Sequence, residues 1–208
     1  KNLVELRTDG ERPNFDQAWF FWNTFPSFAT GPGNFLFDLG LGGGTLPRTP
    51  GIAVDNSDTV YQFDTDPNLT PAEQARNAGI VRVEADPQAR SPNGLSQVPV
   101  VAGDPEVPVL ALHNLGDLFV PVLNEVEYAK RVQANGKSDL LVQRAIRGVL
   151  HCDFTAAEFA GAFLDLRSWV ETGVKPAGDD FLDPSAVASP NFGCNFTNGA
   201  HLLGAPCP

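Results

Sequence analysis

The sequence predicts an α/β fold: a strand–helix–strand–helix passage at the edge of a mostly parallel sheet, preceded by an irregular region. Three observations predict it. Two short apolar runs, Val107–His113 and Asp139–Ile146, are separated by residues with helical periodicity. The connections between them are short, so the second strand returns beside the first through a crossover helix. Before residue 107, glycines and prolines are spaced too closely for long regular elements.

In chain order, Asn14–Trp22 is a dense aromatic stretch that can form one helical face. Gly31 to Pro50, with the Gly42–Gly43–Gly44 run, reads as loops. No Gly-Lys-Ser/Thr follows that run, which argues against a phosphate loop. Thr70-Pro71-Ala72-Glu73 carries a capping Thr, a Pro at the first helical position and a Glu completing a capping box, so a helix runs to about Asn77. Ile80–Val83 reads as a brief extended piece and 84–106 as a long connection.

Val107–His113 is apolar enough for a buried parallel strand. Val122, Val126, Ala129 and Val132 mark a helix that stops at Asn135-Gly136. Asp139–Ile146 is the second strand. Thr155-Ala156-Ala157-Glu158 is another capping box, opening a helix with Phe159, Ala162, Phe163, Leu166, Trp169 and Val170 on one face and Gly173 at its end. The expected organisation is therefore an irregular, loop-rich region with short helices over 1–106, the βαβα passage over 107–173 and an extended tail over 174–208.

A net charge of -11 argues against a nucleic-acid partner, and no apolar run has the roughly 18 residues that span a bilayer. The chain contains no methionine, so Lys1 is not a translational start and the chain is a processed product or part of something longer. Its three cysteines are Cys152, Cys194 and Cys207. A Cys194–Cys207 bond would tie down a Gly/Asn/Pro-rich tail, contributing on the order of 3 kcal/mol and suiting a secreted protein; three free thiols are the alternative.

Reactive groups in parallel sheets collect beyond the carboxyl ends of strands. Asp117 follows the first strand and His151 the second, 34 residues apart, about one strand–helix–strand passage. Each residue alone has an ordinary explanation, a turn Asp and a loop His. Together they fit a carboxylate that orients an imidazole general base. His113, Asn114 and Leu115, at the first strand's end, are weaker candidates for the substrate pocket. A metal reading of Asp117, His113 and His151 lacks a third clustered ligand of the usual type, and no cofactor is expected. His201 has no partner identifiable from sequence. Asn68-Leu69-Thr70 and Asn195-Phe196-Thr197 are glycosylation sequons, of a kind that also arises by chance.

The segments Pro108–His113, Gly116-Asp117 and Val120-Pro121, with the His151 loop and the capped helix bearing Trp169, resemble the acid and histidine segments of the α/β-hydrolase superfamily. Within it they are most similar to secreted bacterial esterases and peptidases. The resemblance covers about 107–173 and implies a serine hydrolase of carboxylic esters or amides, with 1–106 a cap or insertion region whose Trp19–Trp22 cluster is cap core or, alternatively, a substrate platform. One departure stands out: no Gly-x-Ser-x-Gly elbow is present. Ser27, Ser57, Ser91 and Ser96, the serines before Asp117, lack elbow glycines or sit in polar connections. The nucleophile is then expected on an N-terminal segment or partner chain. The alternative is a non-catalytic module derived from a hydrolase fold. A further likeness, to tannases and feruloyl esterases, implies that Cys152 bonds to a cysteine beside that nucleophile. A buried free thiol or a bond to Cys194 or Cys207 are the other possibilities.

Overall fold

The computed structural model describes residues 12–24, 26–27, 31–32, 55–61, 68–87, 101–118, 120–201 and 203–208. The chain divides into two compact units, one comprising 1–6 and 37–100 and the other 7–36 and 101–208. The Gly42–Gly44 run, Ser91 and Ser96 lie outside the described residues.

In the second unit, α1 spans Phe15–Thr24. A short antiparallel pair joins β1 (Pro26–Ser27) to β2 (Gly31–Pro32). In the first unit, α2 spans Pro71–Gly79 and begins with the expected capping box between Thr70 and Glu73. Its Asn77 side chain brackets Tyr61, accepting from Tyr61 N and donating to Tyr61 O.

The α/β passage of the second unit consists of β3 (Val109–Asn114), α3 (Leu123–Ala134), β4 (Leu141–Ile146) and α4 (Ala156–Thr172). β3 and β4 are parallel, in register from Val109 opposite Leu141 to Asn114 opposite Ile146. Both strands are shorter than their apolar runs. Val107 is exposed, and Ser138–Leu140 forms a single 3-10 turn before β4. α4 carries the Thr155/Glu158 capping box and ends at Gly173 in the left-handed conformation, φ 74°.

The two sheet edges are treated differently. Along β4, Asp179 N donates to Gln143 O and Asp179 Oδ2 accepts from Ala145 N, so the returning chain blocks that edge. Among the described residues no strand pairs with the other edge of β3. Helix α4 shows the same one-sidedness. Glu158, Ala162 and Trp169 are buried, whereas Phe159, Phe163 and Val170, expected on the core face, are 65%, 61% and 62% exposed. Two strands present too narrow a surface to cover both stripes of this helix.

The 174–208 segment is not simply extended. It forms α5 (Pro184–Val187), and Phe181, Val187 and Phe192 enter a core with Leu115, Val122, Val126 and Ala145. The Cys194–Cys207 disulfide expected from the sequence is present, with Cα atoms 5.7 Å apart. Residues 12–22, read from sequence as cap, instead pack within the α/β unit: Phe15, Ala18 and Trp22 form a second core with Leu118 and Val149.

Candidate active site

Parallel pairing brings the ends of β3 and β4 to the same end of the sheet, and the two loops that leave them touch. Leu115 N donates to Ile146 O and Gly116 N to Gly148 O, each at 2.9 Å. Two glycines permit this approach. A Cβ on Gly116 would lie 2.7 Å from Val149 Cα, and one on Gly148 would lie 2.5 Å from Asn114 Oδ1. Side chains at either position would force the loops apart.

On this crossing stands the expected pair. His151 Nδ1 lies 2.6 Å from Asp117 Oδ2. The Asp117 side chain is 6% exposed and that of His151 47%. Asp117 Oδ1 accepts from Val120 N, so both carboxylate oxygens are held. The acid contact is made through Nδ1, and the two ring nitrogens of an imidazole are chemically distinct. A carboxylate sunk in protein behind a half-exposed imidazole fixes the tautomer and supports the ring as it gains a proton.

The structure also reveals supports that the sequence did not single out. Trp22 Nε1 donates to both Gly116 O and Val149 O, at 3.2 and 3.1 Å, so one indole bridges the acid and histidine loops. Arg12 Nε donates to Leu115 O and Asn14 Nδ2 to Arg147 O. The aromatic run marked α1 as a packed helix, but which loops it holds depends on contacts across more than 90 residues of sequence. Arg147, buried, donates from its side chain to the carbonyls of Pro190 and Ala205, tying the tail to the end of β4. That burial pushes its guanidinium below its ordinary value.

The candidate pocket residues His113, Asn114 and Leu115 are all buried, at 6%, 2% and 0% exposure. His113 Nδ1 lies 3.6 Å from Glu125 Oε1, and Asn114 Nδ2 donates to Leu150 O. Leu115 belongs to the core beneath β4. Of the three, only the Asn114 side chain reaches the loop that follows β4, whereas His113 faces the helix α3. A groove of about 290 Å³, lined by Ala129, Val132, Leu141 and Lys175 among others, contains neither Asp117 nor His151.

Cys152 is free and exposed, not buried, and with Cys194 and Cys207 joined to each other it bonds to neither. Its φ of 57° is in the left-handed region, unusual for a residue with a Cβ. The His201 side chain is 2% exposed: Nε2 lies 2.9 Å from Glu158 Oε1, and Nδ1 faces Asp153 Oδ2 at 3.3 Å. Burial raises the Glu158 carboxyl, but hydrogen bonds from His201, Asn198 N and Thr155 N outweigh it and hold the group below its ordinary value. Asp179 is shifted the other way: burial raises it more than its bonds from Ala145 N and Asn195 lower it.

Part of the chain is similar to a known hydrolase. Over 90 residues it is 38% identical to an o-phthalyl amidase of Xanthobacter agilis, a match covering 43% of this chain and 20% of that protein. No protein-family model matches the chain. No solved structure matches it either.

Proposed function

We propose that this chain supplies the acid, Asp117, and the general base, His151, of a serine hydrolase acting through an acyl-enzyme. The observation that carries this reading is the 2.6 Å contact between His151 Nδ1 and the sunken Asp117 carboxylate at adjacent parallel strand ends. His151 Nε2 takes the proton of a serine hydroxyl as that oxygen attacks the carbonyl, and returns it to the leaving group. Asp117 holds the ring in the required tautomer and stabilises the imidazolium.

The serine lies on an N-terminal segment or partner chain. Two features support a further piece: the edge of β3 that no strand pairs among the described residues, and the exposed apolar stripe of α4. Ser57 does not fill the role, because its hydroxyl donates to Asp55 and no elbow glycines flank it. Similarity to an o-phthalyl amidase favours an amide over an ester as the bond cleaved. Exposure of the Cys152 thiol, one residue beyond His151, supports a bond to a cysteine on the nucleophile-bearing segment. The Cys194–Cys207 bond supports an oxidising, extracellular setting.

A fluorophosphonate probe, followed by intact-mass measurement of every chain in the purified protein, tests the reading. Labelling of a companion segment that is lost in His151→Ala supports it. A sample in which no chain labels would instead favour a non-catalytic module.

A further inference from the structure

The turn that carries His151 is held at its two ends by different parts of the chain. Upstream, Gly116, Trp22 and Asn114 bond the carbonyls of Gly148, Val149 and Leu150. Between the ends, Cys152 takes a left-handed conformation that a side chain disfavours, so the turn relaxes unless both ends are fixed. Downstream, the anchor is a buried cluster that the proton transfer does not use. Glu158, with a fully buried side chain, accepts from Thr155 N at 2.7 Å, Asn198 N at 2.8 Å and His201 Nε2 at 2.9 Å. His201 Nδ1 faces Asp153 Oδ2 at 3.3 Å, and neither of those buried atoms has a hydrogen-bond partner. Asp153 is two residues from His151.

Asn198 and His201 both lie inside the loop closed by the Cys194–Cys207 disulfide. The same loop gives Thr197 Oγ1 to Arg147 N and accepts from Thr155 Oγ1 at Asn198 O. It therefore grips the histidine loop immediately before and after the turn.

We propose that His201 is the positioning residue of the histidine loop. Set between Glu158 and Asp153 by the disulfide-closed loop, it fixes the downstream end of the turn and so the aim of His151 at Asp117. The inference rests on the reading of Asp117 and His151 as acid and base. A general base displaced by on the order of 1 Å can lose about 100-fold in rate while substrate binding is untouched.

The test uses the intact hydrolase. His201→Leu is expected to lower kcat by about 10- to 100-fold with KM within about two-fold. His201→Gln, which restores a donor to Glu158, is expected to recover most of that loss. In labelled-histidine NMR, the low-field proton of His151 Nδ1 should broaden by exchange in the Leu variant and sharpen again in the Gln variant. Wild-type kcat per folded molecule in His201→Leu overturns the proposal, whatever happens to its Tm. Equal losses in the two variants overturn it as well. Should His201→Leu fail to fold, Asp153→Ala decides, because it leaves the Glu158–His201 pair intact: a lowered kcat at constant KM supports the clasp and an unchanged kcat overturns it. If no turnover depends on His151, the reading of the site fails, while the NMR signal still judges this one.

Discussion

The chain has three histidines, and each of them stands beside a carboxylate, yet two of the pairs sit in opposite surroundings. His151 and Asp117 meet at 2.6 Å with the imidazole 47% exposed, so the ring can reach a reacting group outside the fold. His201 and Glu158 meet at 2.9 Å with side chains 2% and 0% exposed, and no substrate reaches them. Chemistry at the level of residue type is the same in both. What differs is burial, which leaves one ring open to solvent and seals the other among backbone donors. The third pair, His113 and Glu125, is buried and loosely aligned at 3.6 Å, closer in kind to the second.

The sharpest way to break the comparison is to disable one pair and watch the other property. Asp117→Asn and His151→Ala are each expected to lower kcat by about 10⁴-fold, read by steady-state kinetics, since removing either member of such a pair leaves only binding and electrostatic catalysis. Because His151 is half exposed, its replacement should move Tm little. A comparable loss of stability would place His151 in the structural class instead.

Disabling the other region should lower stability first, with kcat falling only as the aim of His151 is lost. The Cys194→Ser/Cys207→Ser pair frees the loop that carries His201, at a cost of about 3 kcal/mol. That corresponds to a fall in Tm of roughly 6–12 °C by calorimetry for a chain of this length. An unchanged Tm would mean the loop stays in place without its bond.

Gly116→Ala tests the crossing beneath the first pair. Its new methyl would sit 2.7 Å from Val149 Cα, and backbone cannot yield as a flexible side chain can. A loss of about 1–3 kcal/mol in chemical denaturation, with kcat reduced as the two loops separate, is expected.

The smallest effects are in the pH dependence of stability. Glu158 is held below its ordinary value, so its contribution is full above about pH 4.5 and is lost as pH falls through its folded value. The destabilisation caused by Glu158→Gln should therefore be largest above that pH and shrink below it. Asp179 is raised, so its sign is opposite: its contribution is present below the ordinary value of 3.8 and is lost as pH rises through the folded value. Asp179→Asn, which keeps an acceptor for Ala145 N, should gain stability relative to wild type near neutral pH. Urea titrations at pH 3.5, 5 and 7 distinguish the two slopes.

The local elements were largely legible in the sequence. Both capping boxes, at Thr70 and Thr155, formed because the residues that satisfy the helix's first N–H groups are three positions apart. Strand and helix periods placed β3, α3, β4 and α4 within two or three residues at most ends. The pairing of Asp117 with His151 was legible too, since one right-handed crossover fixes where two strand ends meet. Solvent exposure was not. Phe159 and Phe163 look like core residues by period, but period states only that apolar groups share a face, not that anything covers it. Nor could His201 be matched to a carboxylate 43 residues earlier, because no local rule operates over that span.

By itself, then, the sequence determined the α/β passage, its caps, the tail disulfide and the two ionisable residues at the strand ends, all of which depend on spacing along the chain. Only the tertiary structure decided which histidine meets solvent and which is sealed, that α1 packs beneath the strand-end loops, and that the tail clasps the turn. Those outcomes depend on which surfaces distant segments cover, and burial is a property of the folded neighbourhood rather than of the residue.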